Sequence, residues 1–136
     1  MSHYLDYAFQ FTKEEPICAS WSNSEFQPLL ALSTTLPRII FLQEEVIIQK
    51  YEINRRKKCT VLEWHPLNLS LGLGWEDGTI SIWTEENQSF KEDRTIHKSQ
   101  ITSIVFSPDG NRMITGDKVS WILICLEWDS GSVEDK

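Results

Sequence analysis

Few residues in this chain are of a type and spacing that could do chemistry. His65 sits between Trp64 and Pro66, His97 precedes an apolar run, and His3 lies near the N-terminus. None has an acid or base at a spacing that fixes it as a proton-transfer partner. His65 therefore reads as a turn residue, His97 as a hydrogen-bond partner of backbone or of Thr115, and His3 as a solvated terminal residue. Glu76 and Asp77 are adjacent carboxylates, the raw material of glycoside hydrolysis or cation binding. Neighbours on a hairpin point apart, however, and either chemistry needs a second carboxylate across a cleft. They read as turn residues. Gly72 and Gly74 are not followed by the helix and Lys-Ser/Thr pair of a phosphate-binding loop. Cys18, Cys59 and Cys125 are odd in number, 41 and 66 residues apart, and show no CxxC pairing. They point to buried thiols in a reducing compartment rather than to a disulfide framework or a zinc site. No catalytic, cofactor-binding or metal-binding residue is assigned, and no small-molecule substrate is expected. Trp75, flanked by Gly74 and Glu76, is placed at a hairpin tip. There it is a possible partner contact, the alternative being that it packs on the neighbouring repeat.

The elements that carry these residues must come from 136 residues, of which 40% are hydrophobic and 24% charged. That is enough for one globular domain. No run approaches the roughly 18 apolar residues of a membrane-spanning helix, and Met1 to Asp6 shows no secretory signal, so a cytoplasmic protein not embedded in a membrane is expected. The asparagines of Asn68-Leu69-Ser70 and Asn87-Gln88-Ser89 are then chance sequons. The net charge of -7 argues against nucleic-acid binding, which needs a basic face. The run Arg55-Arg56-Lys57-Lys58 is a localisation or phosphate-contacting patch or, more simply, a solvated loop.

The pattern is strand throughout. Residues 4–11 place Tyr7, Phe9 and Phe11 on one face of an extended segment. Strands follow over 17–21, 29–32, 38–42 and 46–53, the last weighed against a helix over 43–53. Cys59 to Trp64, Leu69 to Leu73 and Thr79 to Trp83 make a second group, the last two joined through the Asp77-Gly78 hairpin, with Ser89 to Glu92 as a weak outer strand. Ile101 to Phe106, Met113 to Asp117 and Trp121 to Trp128 make a third. The last is apolar on both faces, as a strand buried between sheets should be.

These groups are copies. Trp21 and Trp64 are 43 residues apart, Trp64 and Phe106 are 42 apart, and Pro66 and Pro108 also 42. Ile80 to Ile122 and Ile82 to Ile124 keep the offset of 42, so one register is expected through the second and third copies. Short strands repeating at about 40–45 residues predict WD40-type β-propeller blades. The fold class expected is all-β, with about three four-stranded blades of an incomplete ring. Blade one covers about 17–53, blade two about 59–93 and blade three about 97–128, after an N-terminal strand at 4–11 and before a polar tail at 129–136. A blade alone cannot bury both faces, so the isolated chain is expected to be poorly stable or to self-associate.

WD40 blades often carry a hydrogen-bonded group of histidine, hydroxyl, aspartate and tryptophan. By the constant offset, the second copy supplies Asp77 and Trp83 but has Leu73 at the hydroxyl position. The third has His97 and Thr115 but Val119 and Cys125 at the other two. Neither is expected to form the full network. The order Trp64-His65-Pro66, Gly74-Trp75-Glu76-Asp77-Gly78, Ser107-Pro108-Asp109-Gly110-Asn111, Gly116-Asp117 resembles the 140-kilodalton subunits of intraflagellar transport complex A over most of residues 17–128. Those subunits have two N-terminal propellers and a helical solenoid, so the resemblance aligns this chain with the first three blades of the first propeller. It implies a non-catalytic protein-interaction scaffold, protein subunits of that complex as partners, and a place at the cilium and its base in retrograde transport and cilium assembly. The alternative is a WD40 adaptor of another complex, such as a vesicle coat, a ubiquitin ligase or an RNA-processing assembly. Hydrolysis at a propeller pore would need ionisable residues on inner strands, which here offer little beyond Cys18, Ser20, Thr60 and Ser103.

Overall fold

The computed structural model describes Ala8, Gln10, residues 12–24 and residues 26–127. Within them lie three antiparallel sheets, each made of strands that follow one another in the chain. The first contains β1 (Pro16–Trp21), β2 (Leu29–Thr34), β3 (Arg38–Gln43) and β4 (Val46–Ile47), with β5 (Ile53–Asn54) also paired to β3. The second runs β6 (Cys59–Trp64), β7 (Ser70–Trp75), β8 (Ile80–Thr84) and β9 (Ser89–Asp93). The third has β10 (Ser103–Phe106), β11 (Arg112–Gly116) and β12 (Trp121–Cys125), three strands among the described residues. The turns follow from their residues: Gly78 and Gly110 take φ of 91° and 76°, a region open to glycine and strained for other side chains. Asp77 Oδ1 accepts the Thr79 N–H at 3.0 Å and Asp109 Oδ1 the Asn111 N–H at 3.0 Å, each closing its turn locally.

Two apolar seams hold the sheets together. Between the first and second sheets Phe41, Tyr51, Trp64 and Trp83 form one aromatic cluster, with Phe41 and Trp83 centroids 4.6 Å apart and Tyr51 and Trp83 5.4 Å apart. Between the second and third, the contacts are aliphatic except for Phe106: Ile80, Ile101, Ile104 and Met113 are buried together with it. In both seams the first strand of a sheet lies mainly across the first two strands of the sheet before it, β6 on β1 and β2, β10 on β6 and β7. Side chains also reach backbone across each seam. Ser33 Oγ donates to the Cys59 carbonyl and Thr60 Oγ1 to the Ile101 carbonyl, both at 2.6 Å.

In its strands the structure departs from the sequence expectations. The strand expected over 46–53 is broken: β4 gives way to a 3₁₀ turn at Gln49–Tyr51 before β5. The break turns Tyr51 inward to meet Phe41, 5.8 Å away edge to face, which a continuous exposed outer strand could not do. The constant offset also fails in the third strand of the blade. Gly74 pairs with Ile80 and Gly116 with Trp121, so the offset is 42 residues in β11 but 41 in β12. The hairpin between β11 and β12 is one residue shorter, and a one-residue change moves every side chain to the opposite face. Ile122 and Ile124 therefore turn toward the second sheet, while Trp121, Leu123 and Cys125 are exposed. The same shift leaves Cys125 an exposed thiol rather than a buried one, and β12 is not covered on both faces, since among the described residues no sheet packs on its outer side. The expected strand at 4–11 and the tail at 129–136 fall almost wholly outside the described residues.

Candidate interaction surfaces

Trp75 is not at a hairpin tip. It is the last residue of β7, opposite Cys59, and 2% exposed; the turn belongs to Glu76, Asp77 and Gly78. Its Nε1–H donates to Ser81 Oγ at 2.8 Å, and the Arg55 guanidinium lies 4.7 Å from its ring centroid. Arg55 also faces Phe90 at 5.6 Å and pairs with Glu92. A buried indole with a cation over its face and its N–H already paired is a stabilising element, not a surface anchor. Arg55 is thus separated from its exposed neighbours Arg56, Lys57 and Lys58. Nothing in the charge run itself distinguished it, since its role follows from the aromatics it meets.

His65 does more than make a turn. Its Nδ1 accepts the backbone N–H groups of Leu67 and Asn68 at 3.1 and 3.2 Å. The proton therefore sits on Nε2, which donates to the Gly110 carbonyl of the next sheet at 2.9 Å. The ring also meets Phe106 edge-on at 5.2 Å. Asp77 bonds within its own turn, whereas Glu76 Oε2 accepts the N–H of Lys58, just before β6, at 2.7 Å.

The third copy assembles a network that the constant offset hides. His97 Nδ1–H donates to Asp117 Oδ2 at 3.0 Å, and its Nε2 accepts from Thr115 Oγ1 at 2.7 Å. Asp117, not Val119, supplies the carboxylate. Its other oxygen accepts the N–H groups of Val119 and Ser120, both at 2.8 Å; those backbone bonds, and then His97, hold its carboxyl well below the usual carboxylate range. The legible signal was Asp117 immediately before a two-residue turn. Hydroxyl, imidazole and carboxylate in series are the constellation of an activated nucleophile, but Thr115 is 0% exposed and His97 is buried. No substrate reaches that hydroxyl. The network instead fastens the segment before β10 to β11 and its turn.

What the described residues offer to partners is apolar surface. The outer face of the third sheet presents Val105, Ile114, Trp121 and Leu123, and that of the first sheet presents Trp21. Among the described residues no helix is long and apolar enough to cross a membrane.

Comparison with known proteins agrees with three stacked β-sheets of a repeat protein. The chain is 33% identical over 82 residues to eukaryotic translation initiation factor 3 subunit I of Kluyveromyces lactis, covering 60% of this chain and 24% of that protein. It is 28% identical over 86 residues to WD repeat-containing protein 90 of Mus musculus, 59% of this chain and 4% of that protein. It is 33% identical over 69 residues to transducin beta-like protein 3 of Rattus norvegicus, 51% of this chain and 8% of that protein. The matches thus span a quarter or less of each relative's length. These are WD-repeat relatives, and the fold they share with this chain is that of a protein-interaction scaffold. The model of one family, the first β-propeller of IFT140, matches residues 3–134. The chain belongs to the family of the IFT140 first β-propeller.

Proposed function

We propose that this chain is a non-catalytic scaffold of the intraflagellar transport machinery, contacting protein subunits of transport complex A at the cilium and its base. Its work there is retrograde transport and cilium assembly. The observation that carries the reading is the family match across residues 3–134. The structure adds a physical basis: rigid stacked sheets with exposed apolar residues and loops at their ends make broad surfaces suited to protein contacts. The test is proximity labelling in ciliated cells with the tagged chain. Enrichment of complex A subunits and signal at the ciliary base is the expected result. Labelling of a translation assembly, with no ciliary signal, would overturn it. The second reading, an adaptor of another complex, takes its support from the initiation-factor subunit among the relatives, and the same experiment separates the two.

A further inference from the structure

The second sheet is packed against another sheet on each of its faces, so what its turns expose does not depend on any further sheet beside the first or the third. At one end of it lie the β6–β7 turn, 65–69, and the β8–β9 turn, 85–88. In the first of these Leu67 is 71% and Leu69 37% exposed, and neither belongs to the apolar clusters of the two seams. Both are nonetheless held in place. The Leu67 N–H is bonded to the buried His65 ring, and the Leu69 carbonyl accepts the Glu85 N–H of the other turn at 3.0 Å. The Glu85 carboxylate in turn accepts the Tyr51 hydroxyl. The Pro66 carbonyl takes an Asn23 Nδ2–H of the first sheet at 3.2 Å, while His65 reaches Gly110 of the third. Turns from all three sheets thus form one ordered row, with two leucines standing out from the middle turn. A side chain fixed before any partner arrives loses little freedom on binding.

The same end is acidic. Glu44 and Glu45 occupy the β3–β4 turn, Glu86 the β8–β9 turn and Asp109 the β10–β11 turn, all exposed. Among the described residues the carboxylates of Glu44, Glu45 and Glu86 have no ion-pair or hydrogen-bond partner, and Arg112 is the one cation beside these turns. The cationic loops lie at the opposite end of the sheets: Arg56, Lys57 and Lys58 before β6, Lys98 before β10 and Lys118 between β11 and β12. There Glu76, Asp77 and Asp117 offset them, so negative charge is left unbalanced at the leucine end.

We propose that the leucine end docks a basic amphipathic segment of a partner protein, its apolar side chains on Leu67 and Leu69 and its Lys or Arg side chains against Glu86 and the Glu44–Glu45 pair. The sign of the charge selects this occupant. Phosphate-bearing partners, nucleic acid and anionic lipid alike, are repelled, and a neutral apolar peptide would gain nothing from the three carboxylates. The inference rests on the scaffold reading for a protein partner and adds the chemistry of that partner.

The experiment is fluorescence anisotropy of labelled peptides titrated with the 136-residue chain. The probes are a helical peptide with leucines on one face and lysines on the other, a scrambled peptide of the same composition, and a version with glutamate for lysine. The ordered Leu/Lys peptide is expected to bind about tenfold or more tighter than either of the others, with an affinity that falls as salt rises. Leu67→Ser weakens it about tenfold and leaves the salt dependence in place. Glu44→Lys, Glu45→Lys and Glu86→Lys together weaken it further, flatten the salt dependence and let the Leu/Glu peptide bind, a gain that an unfolded variant cannot imitate. Fluorescence of the buried Trp64, Trp75 and Trp83 checks the fold of each variant, and the charge variant serves if Leu67→Ser unfolds. Equal binding of the ordered and scrambled Leu/Lys peptides overturns the proposal, as simple attraction of a polycation. So does no binding of the ordered peptide, or binding that both variants leave unchanged. No ciliary component enters the experiment, so its failure and that of the transport reading are told apart.

Discussion

The two seams join sheets of the same design by different means. The first is filled by side-chain volume, with Trp83 touching Phe41, Tyr51 and Trp64 at centroid distances of 4.6, 5.4 and 6.3 Å. The second relies on glycines that leave room for close neighbours. A methyl group on Gly74 would stand 2.5 Å from Ile101 Cγ2 and 2.6 Å from Val61 Cγ1, and one on Gly78 2.7 Å from the His97 carbonyl oxygen. Large aromatics fill the first seam and bury much apolar area, whereas in the second Gly74 and Gly78 leave room for Ile101 and the His97 carbonyl, and the His65 to Gly110 hydrogen bond spans the gap. A blade that lacks part of the usual polar network is therefore not a poorly held blade. The second sheet lacks the hydroxyl at Leu73, yet Leu73 is buried in the first seam.

The largest effect should come from emptying the first seam. Trp83→Ala removes the most central of its rings and should cost about 3–5 kcal/mol, enough to unfold a marginal domain in a urea titration. A smaller loss than for Met113→Ala would reverse the ranking of the seams. Next, Gly74→Ala should destabilise by about 1–3 kcal/mol through overpacking. Ile101→Ala in the same chain should recover part of that loss, so a double-mutant cycle with no coupling would contradict the close-approach account. Thr115→Val keeps shape and removes the hydroxyl that His97 Nε2 accepts from, at a cost on the order of 1 kcal/mol. The loss should show as faster amide exchange in the 97–101 segment.

The smallest effect is a difference in alkaline sensitivity. Burial pushes the Tyr51 hydroxyl from 10.0 up to about 12, with Glu85 adding to the shift, and the Cys18 thiol from 9.0 up to about 11; it raises the Cys59 thiol too. All three belong to the first seam or pack on it. A raised value means that the folded state holds the proton longer, so this stability is complete below about pH 9 and is lost as pH rises through 11 to 12. Tyr51→Phe combined with Cys59→Ala should flatten the fall of the melting temperature over that range, while substitutions in the second seam should leave its slope unchanged.

The repeat, the strands and the turns at Asp77-Gly78 and Asp109-Gly110 were legible because period, alternation and turn chemistry are local properties. The errors came where a local count decides a global side. One residue fewer in the β11–β12 hairpin assigned the wrong face to Ile122, Ile124 and Cys125, and the 42-residue count pointed to Val119, two residues past Asp117. Trp75 was misplaced for a related reason: β7 continues through it, and only the pairing with Cys59 shows that it faces inward. The role of Arg55 depends on Trp75 and Phe90, far away in sequence, so composition could place it only with its charged neighbours.

The ordering of strands also bears on how the chain acquires its structure. Apart from β5 on β3, the described strands pair with their sequence neighbours, so hairpins can zip one after another with short loops to close, the regime in which folding is fast. During synthesis the first sheet can form once Asn54 has emerged, but its aromatic face stays wet until Trp83 arrives. That interval, some thirty residues long, is the period of greatest exposure to wrong partners, and the chain passes through it before any seam has closed.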